Sequence, residues 1–201
     1  MKVIGIAFSD LHLGEYSKFN EDNKRTLNHI RVLYLIKDLC IKYKCPAFFC
    51  GDFMHRPEFI STSLDEIIIE QFEELNRYEE FNIYGISGNH CMPKANTIEH
   101  RSPSHWANLC RRYSFLHNID FSYHDFGKFR VVGIPYIDHN NGLDGLIKSE
   151  LKGAMLKPTI LLLHTDYPGA KDTDNTEVGT VENLNVNLLL SLIHISEPTR
   201  L

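Results

Sequence analysis

Along the first ninety residues, short apolar runs alternate with longer stretches whose apolar residues recur every three or four positions. KVIGIAFS (2–9) is mostly apolar and stops at Asp10, as a buried strand does. Residues 21–44 carry Leu27, Ile30, Leu33, Tyr34, Ile36, Leu39 and Ile41, the spacing of an amphipathic helix. PAFFC (46–50) reads as a second strand, ending at Gly51-Asp52. Residues 62–80 predict a helix, with Thr62 or Ser63 as N-cap and Glu66 in the capping-box position. FNIYGIS (81–87) is a third strand, ending at Gly88-Asn89-His90.

This alternation predicts an α/β layered sheet with parallel crossovers. The second half changes character. Segments 119–126 and 128–134, separated by Gly127, predict a hairpin, so the expected sheet is mixed. A helix near 143–155 and a strand in PTILLLH (158–164) follow, and the polar, turn-rich stretch 166–180 reads as a loop beside the strand ends. HRSPSHW (100–106) is expected as a solvated loop, and Trp106 as core or partner surface at the start of a helix. His100, His105, His117, His124 and His139 show no regular spacing.

Composition adds limits. At 201 residues the chain is one domain by size and long enough to bury a core. A net charge of −5 gives no basic signature, but the charge is uneven. Glu58–Glu80 sets eight acids against Arg77, whereas Cys91–Asn118 sets Lys94, Arg101, Arg111 and Arg112 against Glu99. Solvated helix faces are the ordinary reading, and a basic face near a phosphate site is the functional one. Five cysteines, odd in number and without a C-x-x-C pair, argue against a disulfide framework or a zinc knuckle. No signal peptide opens the chain and no apolar run reaches membrane-span length. A soluble cytoplasmic protein is expected, with no membrane partner.

Four strand-like runs stop at residues able to bind a metal: Asp10 with His12, Asp52, Asn89 with His90, and His164. In open α/β sheets such ends converge, because ligands gather outside the carboxyl ends of the strands. One strand-end histidine is ordinarily a surface or core residue; four ends carrying donors form a pattern. Mixed carboxylate, imidazole and amide donors suit Mn²⁺, Fe²⁺ or Zn²⁺ better than Ca²⁺ or a thiolate-bound zinc. Two such ions roughly 3.5–4 Å apart can clamp a phosphate and generate a hydroxide nucleophile. Asp52, in a tight Gly-Asp turn, is the candidate bridging carboxylate, and His90 is placed to stabilise charge or protonate a leaving oxygen.

DLHLG (10–14), GDFMH (51–55), GNH (88–90) and LLLH (161–164) resemble the ordered motifs of the calcineurin-like metallophosphoesterases. DLHLG, with a histidine three residues after the aspartate of GD, is similar to the DNA double-strand-break repair nucleases. These include the nuclease subunit of bacterial SbcCD and the phage recombination endonuclease subunit. The resemblance covers about residues 1–170. It implies a layered metallophosphoesterase fold, α/β with mixed sheets flanked by helices. It further implies two divalent ions, Mn²⁺ first with Fe²⁺ or Zn²⁺ as alternatives, held by Asp10, His12 and Asp52 and by Asn89 and His164, with Asp52 bridging. His90 becomes the catalytic histidine, and His55 matches a histidine that handles the nucleic-acid phosphate. The implied partners are DNA and an ABC-type, SMC-like ATPase subunit; a homodimer stays open, and a phage origin would place the protein in the host cytoplasm.

Two departures stand out. Where the family reads G-N-H-D this chain has Cys91, and no G-H-x-H occurs anywhere in it. Moreover, LSLIHISEPTR (190–200) is identical to one translated frame of DNA resembling the transposase adapter of sequencing libraries. The expected organisation is therefore a metallophosphoesterase domain at 1–189, incomplete at its C-terminal end, and a non-native tail at 190–201 in which His194 is no ligand. The leading expectation is a DNA-hydrolysing nuclease of recombination and repair, poorly active as this fragment. A phosphatase or small-molecule phosphodiesterase, or a catalytically weak scaffold of the same fold, are the alternatives.

Overall fold

The computed structural model describes residues 2–14, 24–55, 61–91, 104–137 and 157–164. The helix expected at 143–155, the loop at 166–180, the tail at 190–201 with His194, and His100 and His139 lie outside the described residues. The elements run β1 (Ile6–Phe8), α1 (Lys24–Tyr43), β2 (Ala47–Phe49), α2 (Thr62–Leu75), β3 (Ile83–Gly85), α3 (His105–Arg112), β4 (Leu116–Asn118), β5 (Ser122–Asp125), β6 (Arg130–Ile134) and β7 (Thr159–Leu163). One 3-10 turn, Asn89–Cys91, follows β3.

Helix α1 buries Thr26, Ile30, Leu33, Ile36, Lys37 and Cys40, a stripe at helical spacing. Leu27, part of the expected stripe, is exposed. Thr26 takes the inner position instead, its hydroxyl donating to the Gly14 carbonyl at 2.8 Å. The helix ends in a Schellman arrangement: Cys45 N–H donates to Cys40 O, Lys44 N–H donates to Ile41 O, and Lys44 adopts a left-handed φ of 50°. The N-cap of α2 falls one residue before Thr62 and two before Ser63, the expected caps. Ser61 is the N-cap, its hydroxyl accepting from Leu64 N–H at 3.2 Å, and Asn76 closes the helix. Its acids point outward while Leu64, Ile68, Phe72 and Leu75 are buried, so the acidic run is a solvated helix face.

Strands β1 to β4 form a parallel sheet in sequence order, with Ile6, Ala47, Ile83 and Leu116 in register. The expected hairpin is β5–β6, antiparallel, and β7 adds to β6 in parallel, giving the mixed sheet. Strand β4 is an addition to the expected pattern, as is the end of the loop reading at Ser104, which caps α3.

Alternation along β2 and β3 sorts side chains between two cores. Ala47, Phe49 and Ile83 pack with α1, α2 and Trp106, whereas Phe48, with Tyr84 packed against it, joins Val131 and Leu162 of the second sheet. The layers are thus helices, parallel sheet and mixed sheet. Trp106 is fully buried against Phe49 and Phe53, at ring separations of 4.9 and 5.3 Å, and so is core. Among the described residues no helix is long and apolar enough to cross a membrane.

Candidate metal centre

Beyond β1 and β2 the chain continues as two adjacent loops, bridged at Leu13 and Met54. Asp10 N–H donates to Gly51 O and His12 N–H to Asp52 O, at 3.0 and 2.9 Å. This pairing sets DLHLG beside GDFMH, and it requires left-handed backbone at three non-glycine residues: Asp10 (φ 54°), His12 (45°) and Asp52 (61°). Such conformations cost of order 1–3 kcal/mol each and gather at functional sites. Two glycines permit the approach. Gly51 has φ 108°, and a side chain on Gly88 would run into the Asp52 carboxylate.

Asp52 is the hub. Its carboxylate is nearly buried, and Oδ1 accepts the His90 backbone N–H at 2.9 Å. Oδ2 stands 3.6 Å from His12 Nε2 and also 3.6 Å from His164 Nε2. Asp10 Oδ1 reaches the same His12 nitrogen at 3.6 Å. The structure therefore brings Asp10, His12, Asp52, Asn89 and His164 together, with His90 and His55 alongside. The His90 ring meets His12 edge-on at 4.8 Å and stacks with His55 at 5.6 Å.

Neighbouring carbonyls set the tautomers. His164 Nδ1 lies 2.8 Å from Cys50 O, so in the neutral ring Nδ1 carries the proton and Nε2 faces Asp52 as a lone pair. His90 Nδ1 lies 2.8 Å from His55 O, which orients that ring in the same manner. Burial, the leading influence, holds the His12 imidazole below its ordinary pKa against the opposing pull of the Asp52 charge, so His12 is neutral at pH 7. Burial pushes the thiols the other way, Cys91 upward and Cys50 up to about 11, so neither offers a thiolate.

The donor set fits a divalent cation. With its amide nitrogen turned inward, Asn89 donates to Asp52 Oδ2 at 3.0 Å, to Oδ1 at 3.3 Å and to His164 Nε2 at 3.0 Å. With its oxygen there instead, the lone pairs of an amide, a carboxylate and an imidazole converge on one region, an arrangement that a cation satisfies. Asp10, His12 and Asp52 independently form a group whose donor atoms lie within 4.8 Å of one another.

Two features were not legible in the sequence. Cys91 does not support His90; its buried sulfur accepts the Phe53 N–H at 3.4 Å and so props the turn after Asp52. Behind the Gly88-Asn89 turn, Asp120 accepts from Ser87 N–H at 2.8 Å and Ser87 Oγ at 2.6 Å, and Ser87 Oγ meets Ser104 Oγ at 2.6 Å. Strand-end candidate donors announce themselves by residue type, whereas a backbone carbonyl or a serine-aspartate pair does not.

No protein-family profile matches the chain, and no curated protein matches it. Solved structures do. A structure from Staphylococcus aureus described as a 5′-nucleotidase, in complex with alpha-ketoglutarate, is 16% identical with a TM-score of 0.53, covering 94% of this chain and 42% of that one. The nuclease MPE of Pseudomonas putida is 13% identical with a TM-score of 0.38, covering 68% of this chain and 56% of that one. The chain thus spans about half the length of these structures, and with the first of them it shares its layered α/β fold.

Proposed function

We propose that the chain carries the metal centre of a phosphoester hydrolase, and more narrowly of a nuclease that hydrolyses DNA phosphodiesters in recombination and repair. One observation carries the reading: a single buried carboxylate oxygen, Asp52 Oδ2, stands equally far from His12 and His164, each flanked by a further donor. That placement supports reading Asp52 as a bridge between two cation sites. Asp10, His12 and Asp52 would hold one divalent ion, and Asp52, Asn89 and His164 the other, with Mn²⁺ the leading candidate. Bound there, the ions supply Lewis acidity toward a phosphoryl group and toward water.

The remaining work falls to this chain's own residues. Asp52 stands between two imidazoles and takes the His90 N–H, which fixes the turn carrying Asn89. His90, its Nδ1 proton engaged by the His55 carbonyl, presents Nε2 toward the substrate. From the doubly protonated ring, Nε2 would give its proton to the leaving oxygen, leaving the neutral Nδ1–H tautomer. His55, beside it, contributes a second imidazole toward the phosphate. DNA as substrate is supported by the DLHLG and GDFMH motifs, and with it an ABC-type ATPase partner. The chain lacks G-H-x-H, so turnover by these 201 residues is expected to be slow.

The test compares a DNA duplex, a 5′-mononucleotide and a small aryl phosphodiester with Mn²⁺, for the unaltered chain and Asp52→Asn. Slow Mn²⁺-dependent cleavage of the duplex, lost in the variant, is the expected result. Preference for the mononucleotide would move the substrate to the nucleotidase class, and cleavage that survives Asp52→Asn would overturn the reading.

A further inference from the structure

The proposed function uses His12 as a ligand and His55 and His90 toward substrate, but leaves their mutual convergence unexplained. One ring nitrogen from each of the three lies within 4.8 Å of the other two. His12 and His55 meet edge-on at 5.6 Å, and all three residues are partly exposed. His90 presents Nε2, because Nδ1 is held by the His55 carbonyl. Nδ1 of His12 is buried, so Nε2, the nitrogen that faces Asp10 and Asp52, is the one it can offer to either group.

We infer that His12, His55 and His90 form an alternative cation site of three imidazoles, selective for an imidazole-preferring ion such as Zn²⁺, and exclusive with the Asp10/His12/Asp52 site. The chemistry of the two donor sets differs. Three neutral imidazoles with an open fourth position suit tetrahedral Zn²⁺, whereas a set with two carboxylates suits Mn²⁺. Zn–N bonds of about 2.0–2.1 Å put tetrahedral nitrogens about 3.4 Å apart, so the rings close by at most about 1.5 Å through side-chain rotation. The single lone pair on His12 Nε2 serves one ion at a time. Zn²⁺ bound at the three histidines therefore withdraws His12 from the mixed site and displaces the ion there. That antagonism as regulation rests on the proposed function; the binding of Zn²⁺ does not.

The experiment loads the 201-residue chain with Mn²⁺, adds Zn²⁺, and follows released Mn²⁺ by its free-ion electron paramagnetic resonance signal. The zinc shell is read in parallel by X-ray absorption at one equivalent of Zn²⁺, with and without Mn²⁺. The expected shell contains three imidazoles, and His55→Ala is expected to raise the Zn²⁺ needed for displacement by roughly tenfold or more, as loss of a metal-site partner does. A carboxylate-dominated shell, or displacement unchanged in a folded His55→Ala, overturns the inference. If His55→Ala fails to fold, the zinc shell of the unaltered chain decides. If Mn²⁺ does not bind but Zn²⁺ takes three imidazoles, the proposed function fails and this site stands.

Discussion

Asp52 is the residue on which the candidate centre turns. It sits in left-handed backbone, its carboxylate is buried between His12 and His164, and both oxygens are engaged. A residue so placed serves a site at some expense to the fold. Asp52→Asn keeps the acceptor for His90 N–H while removing the charge. Mn²⁺ affinity is expected to fall by more than roughly 100-fold, the upper end of an outer-sphere effect, while the metal-free thermal midpoint does not fall. A drop of several degrees in that midpoint would make Asp52 structural. Cys91 is the converse case. Its sulfur takes a buried N–H, so Cys91→Ala leaves Phe53 N–H unpaired and is expected to cost about 1–3 kcal/mol by urea unfolding. Residue types made the candidate donors legible in the sequence, since Asp10, His12, Asp52, Asn89 and His164 each follow an apolar run. The partners that orient them were not, because Cys50 O and His55 O are backbone atoms that any residue could supply.

Turns rather than strands make the difference at the scale of the element. Each paired strand is short, and the chemistry lies in the loops beyond their carboxyl ends. Gly88 is where two of those loops touch. Gly88→Ala puts a methyl group into Asp52, and the expected result is loss of Mn²⁺ binding comparable to that of Asp52→Asn. Near-normal Mn²⁺ affinity in that variant would show that the turns can separate without harm to the site. Apolar periodicity made the helices and central strands legible, and β5–β6 as a hairpin around Gly127. It failed where another force decides. Three-residue β4 is held by register with β3 and has no pattern of its own, and the α2 cap went to Ser61 because its hydroxyl reaches Leu64 N–H.

For the whole molecule, layering turns scattered motifs into one site: helices cover one face of the parallel sheet, and the mixed sheet on the other carries His164 to Asp52. Further histidines enter the layers, His29 beside His12 and His105 and His117 on other elements. Burial, the largest influence on each, lowers the pKa of His29, His105 and His117 below the ordinary 6.5. Their folded forms favour the neutral ring, so this contribution to stability is whole above pH 6.5 and is lost as pH falls through the lowered values. The thermal midpoint of the metal-free chain is expected to decline below that pH, and less so in His117→Gln; a midpoint flat from pH 7.5 to 5 would contradict it. Parallel pairing and the two-core division follow from alternation, but the depth at which each histidine lies does not, because it depends on contacts between distant segments. The most direct measurement counts Mn²⁺ ions bound per chain by equilibrium dialysis, for the unaltered protein and for Asp52→Asn. Two ions per chain are expected, both weakened together when the shared carboxylate is neutralised; one ion lost and one retained at full affinity, or no Mn²⁺ bound at all, would contradict a shared Asp52.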